Sequence, residues 1–128
     1  MKNWTKVAGL LLGLVLLLAA SGTWAQQAAT TKKGYIIARV HVTNPQQYAE
    51  YIKVAGGATA KYGGRYLARG GRMATLEGPD VTDRVVIVEF PSFEQAQAFY
   101  ASPEYTAARK IRAGAAEASF VLIEGYEP

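Results

Sequence analysis

Three side chains that can do chemistry stand on stretches otherwise suited to β-strands. Arg39 and His41 lie in GYIIARVHV (Gly34–Val42), and Glu89 lies in RVVIVEF (Arg84–Phe90). An arginine fork presents parallel donors to a carboxylate or carbonyl oxygen. A histidine with a pKa of about 6.5 exchanges protons near neutrality. A carboxylate beside them serves as a second base or as the counter-ion of the arginine. Arg69 in RYLARGG and Glu124 in SFVLIEGY are on neighbouring strands and can join the group. Together Arg39, Arg69, Glu89 and Glu124 suggest a site for a small anionic or carbonyl-containing molecule. His41 and Glu89 are the acid–base candidates. The same residues also fit a second reading, in which they form ion pairs at a sheet rim or subunit interface of a non-catalytic dimerisation domain.

Several other chemistries lack their residues. The chain has no cysteine, one histidine and no H-x-H or H-x-x-E spacing, so no metal is expected. There is no G-x-S-x-G, and the glycine doublets (Gly56-Gly57, Gly63-Gly64, Gly70-Gly71) form neither a dinucleotide nor a Walker loop. No cofactor is therefore called for. The formal net charge is +4, but residues 26–128 carry 12 basic and 10 acidic side chains, with no basic stripe. RVVIVEF also lacks the basic–aromatic pattern of an RNA-binding strand, so nucleic acid is not an expected partner.

These residues have to be positioned by the elements around them. Alternation in Gly34–Val42 puts Ile36, Ala38, Val40 and Val42 on one face and Tyr35, Ile37, Arg39 and His41 on the other. Asn44-Pro45 is an N-cap followed by a first helical residue, and Tyr48, Tyr51, Ile52, Ala55, Thr59 and Tyr62 follow at helical spacing. Gly56-Gly57 is expected to weaken that helix or mark a close packing point, and Gly63-Gly64 to stop it. A strand with a bulge at Gly70-Gly71 is expected in RYLARGGRMATLEG, paired as a hairpin with Arg84–Phe90. By alternation Glu89 shares a face with Val85 and Ile87, which makes an Arg39–Glu89 cross-strand pair an expectation.

FEQAQAFYASPEYTAARKIR (Phe93–Arg112) reads as two helices divided at Ser102-Pro103, with serine as cap and proline as first residue. Ser119–Tyr126 reads as the last strand. The tyrosines Tyr48, Tyr51, Tyr62, Tyr100 and Tyr105 fall on helix faces turned to the sheet, as core or as the lining of a pocket. The order βαββαβ is α+β and ferredoxin-like, with helices on one face of an antiparallel sheet. Ile37, Val85 and Ile87 make the other face too apolar to leave wet, and a symmetric dimer covers it economically.

The first 25 residues stand apart. Lys2 and Lys6, the apolar run Val7–Ala20 and the small residues around Thr23-Trp24-Ala25 have the form of a signal peptide. The expectations are cleavage after Ala25, a flexible lead-in over 26–33, a domain over 34–127, and an exported (periplasmic or secreted) product with no stable membrane anchor.

The segments GYIIARV, YGGRYLARGG, VVIVEFPSFEQAQAFYASPEY and VLIEG resemble the DUF1330 family of the dimeric α+β barrel group. The S-P-E-Y turn (Ser102–Tyr105) and the L-A-R-G-G block (Leu67–Gly71) are its most specific parts. The resemblance implies a ferredoxin-like protomer and a homodimer. It assigns no reaction and no catalytic residue.

Overall fold

The structure is a computed structural model that describes residues 30–128. The signal-peptide expectation, and the lead-in up to residue 29, lie outside the described residues. Among the described residues no helix is long and apolar enough to cross a membrane.

Seven elements follow one another: β1 (Gly34–Val42), α1 (Pro45–Lys61), β2 (Arg65–Arg69), β3 (Arg84–Phe90), α2 (Phe93–Ala101), α3 (Pro103–Ala113) and β4 (Ala116–Glu124). The strands form one antiparallel sheet in the order β2-β3-β1-β4, with the three helices on one face. This is the ferredoxin-like plan, its second helix divided in two. The division falls at Ser102, whose extended backbone ends α2 and caps α3. Its Oγ donates to the Phe99 carbonyl at 2.7 Å and accepts from the Tyr105 amide at 3.1 Å. Pro103 then needs no partner for the N–H it lacks.

α1 starts as expected, with Asn44 Oδ1 accepting from the Gln47 amide at 3.2 Å. It runs unbroken through Gly56-Gly57, and a Cβ at either glycine would touch nothing within 4 Å. Neither an interruption nor a packing point exists there. The buried face of Tyr48, Tyr51, Ala55 and Thr59 ties the helix to the sheet, and tertiary packing outweighs the glycine propensity cost of roughly 1 kcal/mol each.

Three strand boundaries differ from expectation, one of them the end of β4 at Glu124, two residues before the expected Tyr126. β2 ends at Arg69, its register slips between Tyr66 and Ala68, and the glycines lie beyond it. Gly70 turns the chain out of the sheet at φ 61°. β4 begins at Ala116, three residues before the expected start, because pairing with Val42 and His41 recruits an alanine-rich stretch with no strand pattern of its own.

The core lies between sheet and helices. Ile36, Val40, Val88 and Phe90 project from the sheet, and Tyr51, Phe99, Tyr105 and Ala108 meet them from the helices. Phe99 is at the centre, its ring 4.9 Å from Phe90 and 4.3 Å from Tyr105.

Candidate functional site

The open face of the sheet, away from the helices, holds Arg39, His41 and Glu89 but does not join them. Arg39 is opposite Val85, whereas Glu89 is opposite Tyr35, four residues along β1. At about 3.3 Å per residue that separates them by roughly 13 Å. The expected Arg39–Glu89 pair does not form. Arg39 Nη2 instead lies 3.6 Å from Asp83, and His41 Nδ1 approaches the same carboxylate at 3.3 Å. Glu89 takes Arg65 at 3.1 Å and the Tyr35 hydroxyl at 3.2 Å. Glu124 lies at the end of β4 with Lys32 at 3.7 Å. Arg69 is opposite Val86, on the helix side of the sheet. The expected residues therefore fall into four separate places.

Between the two open-face clusters lies an apolar strip. Val121 is 60% exposed and Ile123 53%, with Ile37 and Leu67 beside them. Arg39, His41, Asp83 and Glu117 border only a shallow depression at one end of it.

The enclosed space lies on the other side. A cavity of about 40 Å³ is set between the sheet and α1, with Ile36, Val40, Val88 and Phe99 among its apolar walls. Tyr48, Tyr51, Thr59, Tyr66 and Tyr105 supply its polar atoms. Arg69 and Arg84 stand in its wall, and no carboxylate lines it. It holds a water or two as it stands.

Behind two of these tyrosines lies Arg112, 9% exposed. Its Nη1 donates to the Tyr105 hydroxyl at 2.9 Å and to that of Tyr51 at 3.3 Å. The Phe120 ring lies 4.3 Å beneath the guanidinium. Among the described residues no carboxylate comes within ion-pair distance of Arg112, Arg69 or Arg84. A buried cation is costly to desolvate, and here only hydroxyl dipoles and aromatic faces offset that cost.

The hydroxyls can be counted. Tyr51 and Tyr105 both accept from Arg112 and stand 2.9 Å apart, so one donates to the other. The second O–H has no acceptor among the described residues, and both tyrosines line the cavity. Burial, reinforced by Tyr51, holds the Tyr105 hydroxyl far above its ordinary value of 10. Burial likewise raises that of Tyr48. Both stay protonated near neutrality and can act as donors.

The sequence reading placed Tyr48, Tyr51, Tyr100 and Tyr105 on helices packed against the core, put Tyr62 on α1 although it lies just past the helix end, and missed Arg112 and Arg84. A signal for Arg112 was present: Tyr105, Ala108 and Arg112 are spaced i, i+3, i+7, which extends the buried stripe of α3 onto the arginine. For Arg84 the signal was alternation, since Val86, Val88 and Phe90 share its face.

The DUF1330 family, a domain of unknown function, matches residues 33–126. The chain belongs to this family. No curated protein sequence matches it. Among solved structures, a protein of unknown function from Rhodopseudomonas palustris is 22% identical with a TM-score of 0.63, over 76% of this chain and 85% of that one. SnoaB, a cofactor-independent oxygenase from Streptomyces nogalater, is 11% identical with a TM-score of 0.56, over 77% and 97%. A dimeric ferredoxin-like protein of unknown function from Thermobifida fusca is 19% identical with a TM-score of 0.54, over 73% and 92%. At these identities the likeness is one of fold.

Proposed function

We propose that this DUF1330 chain binds a small, mainly apolar molecule in the cavity between sheet and helices, through a carbonyl or anionic oxygen of that molecule. The observation that carries the reading is the Tyr51–Tyr105–Arg112 cluster, with its buried guanidinium, no carboxylate and one uncommitted O–H beside the cavity. A neutral carbonyl or an oxyanion is the acceptor such a donor lacks, and Arg112 strengthens the donor by polarising it. If the bound molecule reacts, the same O–H is placed to stabilise an enolate or alkoxide without a cofactor. The fold shared with SnoaB is compatible with that chemistry but does not assign it.

The proposal includes a second copy of the chain over the open face. Support comes from the exposed Val121 and Ile123, from helices on the other side only, and from the dimeric Thermobifida fusca neighbour. Arg39, His41, Asp83, Glu89 and Arg65 then serve at that interface, already paired within one protomer. Export remains part of the proposal, on the charge and apolar pattern of residues 1–25.

Native mass spectrometry of the protein from its own host's exported fraction tests this. The expected species is a dimer of chains beginning at Gln26, carrying a reproducible small-molecule mass. Arg112→Met should remain dimeric and lose that mass. A bound mass that survives Arg112→Met and disappears in Arg39→Ala would move the site to the open face, and a monomer would remove the second copy.

A further inference from the structure

We infer that Arg69 and Arg84 form a carboxylate-binding subsite at the mouth of the cavity, so that the ligand is a small organic acid whose mainly apolar body enters with the carbonyl oxygen that meets the tyrosine O–H, and whose carboxylate stays at the β2–β3 edge. This rests on the cavity reading above and names the class of molecule it takes.

The first observation is an unsatisfied donor. Arg84 Nε is buried and has no hydrogen-bond partner among the described residues. Its guanidinium makes a long contact from Nη2, 3.4 Å from the Arg69 carbonyl, and stands beside Tyr48, with Cζ 6.0 Å from the ring centroid and the side chain near enough to interact with the Tyr48 hydroxyl. Buried donors in folded proteins are nearly always paired, so the unpartnered Nε, beside an Nη2 held only by a 3.4 Å contact, is a place for an acceptor oxygen.

The second is that a neighbouring carboxylate is turned away. Asp83 immediately precedes Arg84, but strand alternation sends it toward Arg39 and His41 on the opposite face. Nearly every other cationic group on the strands has an acid: Arg39 and His41 share Asp83, and Arg65 has Glu89. Arg69 and Arg84 have none, and both line the same cavity.

The third is the backbone that seats them. A Cβ at Gly70 would lie 2.6 Å from Arg84 Cζ and closer still to Nη1, so any other residue would displace the guanidinium from this position. Its φ of 61° also suits glycine. The Gly70 amide meanwhile donates to the Val85 carbonyl at 2.8 Å, which fixes this turn beside the arginine. Arg69 is steadied from the other direction, its Cζ 4.3 Å over the Tyr66 ring. The R-G step of the L-A-R-G-G block thus supplies one cation and the space for the other.

Size decides how such a molecule enters. A benzene-sized body needs a cavity of about 150 Å³, well above the 40 Å³ enclosed here. The outer wall consists of the exposed Arg69 and the half-buried Arg84, Tyr66 and Ile52, whereas Phe99 and Tyr105 deep inside are buried. Swinging the two arginines outward opens the mouth, and their return closes it over the carboxylate.

Calorimetric titration of the purified full chain with benzoate and with the isosteric neutral benzamide tests the subsite. Benzoate should bind about tenfold or more tightly than benzamide, as expected for charge-assisted pairs. Arg84→Gln should abolish that preference. Arg69→Gln should reduce it, and Arg39→Gln on the open face should leave it intact. Equal binding of the two probes, or a preference that survives both Arg84→Gln and Arg69→Gln, would overturn the subsite while leaving the cavity reading standing. Binding of neither probe would overturn both.

Discussion

The two faces of the sheet treat arginine in opposite ways. On the open face, Arg39 and Arg65 each have a carboxylate within 3.6 Å, and the groups between them are apolar. On the helix face, Arg69, Arg84 and Arg112 meet tyrosines, a phenylalanine and a backbone carbonyl, but no acid among the described residues. Charges neutralised within one protomer cost less to bury under a second copy than unpaired ones would, which suits an interface. A buried cation without counter-charge, as at Arg112, is costly to keep, and the proposed ligand would bring to this face the charge or acceptor it lacks. The open face is self-sufficient, whereas the helix face is incomplete.

The largest effect that sharpens this contrast is on stability. Tyr105 is almost wholly buried, with Phe99, Tyr100 and Phe120 around its ring. Tyr105→Ala should cost about 3–5 kcal/mol in urea denaturation. Arg39→Ala, which removes an exposed ion pair, should cost about 0–1 kcal/mol. Comparable losses at the two positions would mean that the open-face charges hold the fold and that the contrast is misdrawn.

The smallest effect concerns pH, at a pair that belongs to neither face. Lys61 on α1 and Glu104 on α3 are hydrogen-bonded, and the Tyr62 hydroxyl adds a contact of 3.3 Å. Lys61 holds the Glu104 carboxyl below its ordinary 4.5, and Glu104 holds the Lys61 ammonium above its ordinary 10.5. A depressed carboxyl contributes stability that is present above its unfolded value and is lost as pH falls through the folded one. A raised ammonium contributes stability that is present below its unfolded value and is lost as pH rises through the folded one. Tyr105 adds to the alkaline loss, because above pH 10 it ionises in the unfolded chain before it does in the folded one. Melting temperature should therefore dip slightly at the acid end, and Lys61→Met should flatten that dip. An unchanged acid limb in the variant would show that the pair contributes nothing.

The fold was legible in the sequence because its signals are local. Alternation in Gly34–Val42 and Arg84–Phe90 gave both central strands at their observed limits, and Asn44-Pro45 and Ser102-Pro103 gave two helix starts. Where tertiary contact decides, local reading failed. β4 extends back to Ala116 through pairing with β1, and α1 passes through two glycines because its tyrosine face is anchored. The expected Arg39–Glu89 pairing was not legible. Arg39 and Glu89 share a face as alternation requires, but the register that separates them depends on how the whole sheet pairs. Arg112 was not singled out, because arginine is seldom buried. Only the packed structure places it behind Tyr51 and Tyr105.

The measurement that bears most directly on the difference between the two faces is an NMR titration that follows the arginine side-chain Nε–H signals as benzoate is added. The account predicts saturable shifts at Arg84 and Arg69, a smaller one at Arg112 through the tyrosine hydroxyls, and still signals at Arg39 and Arg65. Shifts confined to Arg39 and Arg65, with the helix-face arginines unmoved, would contradict it.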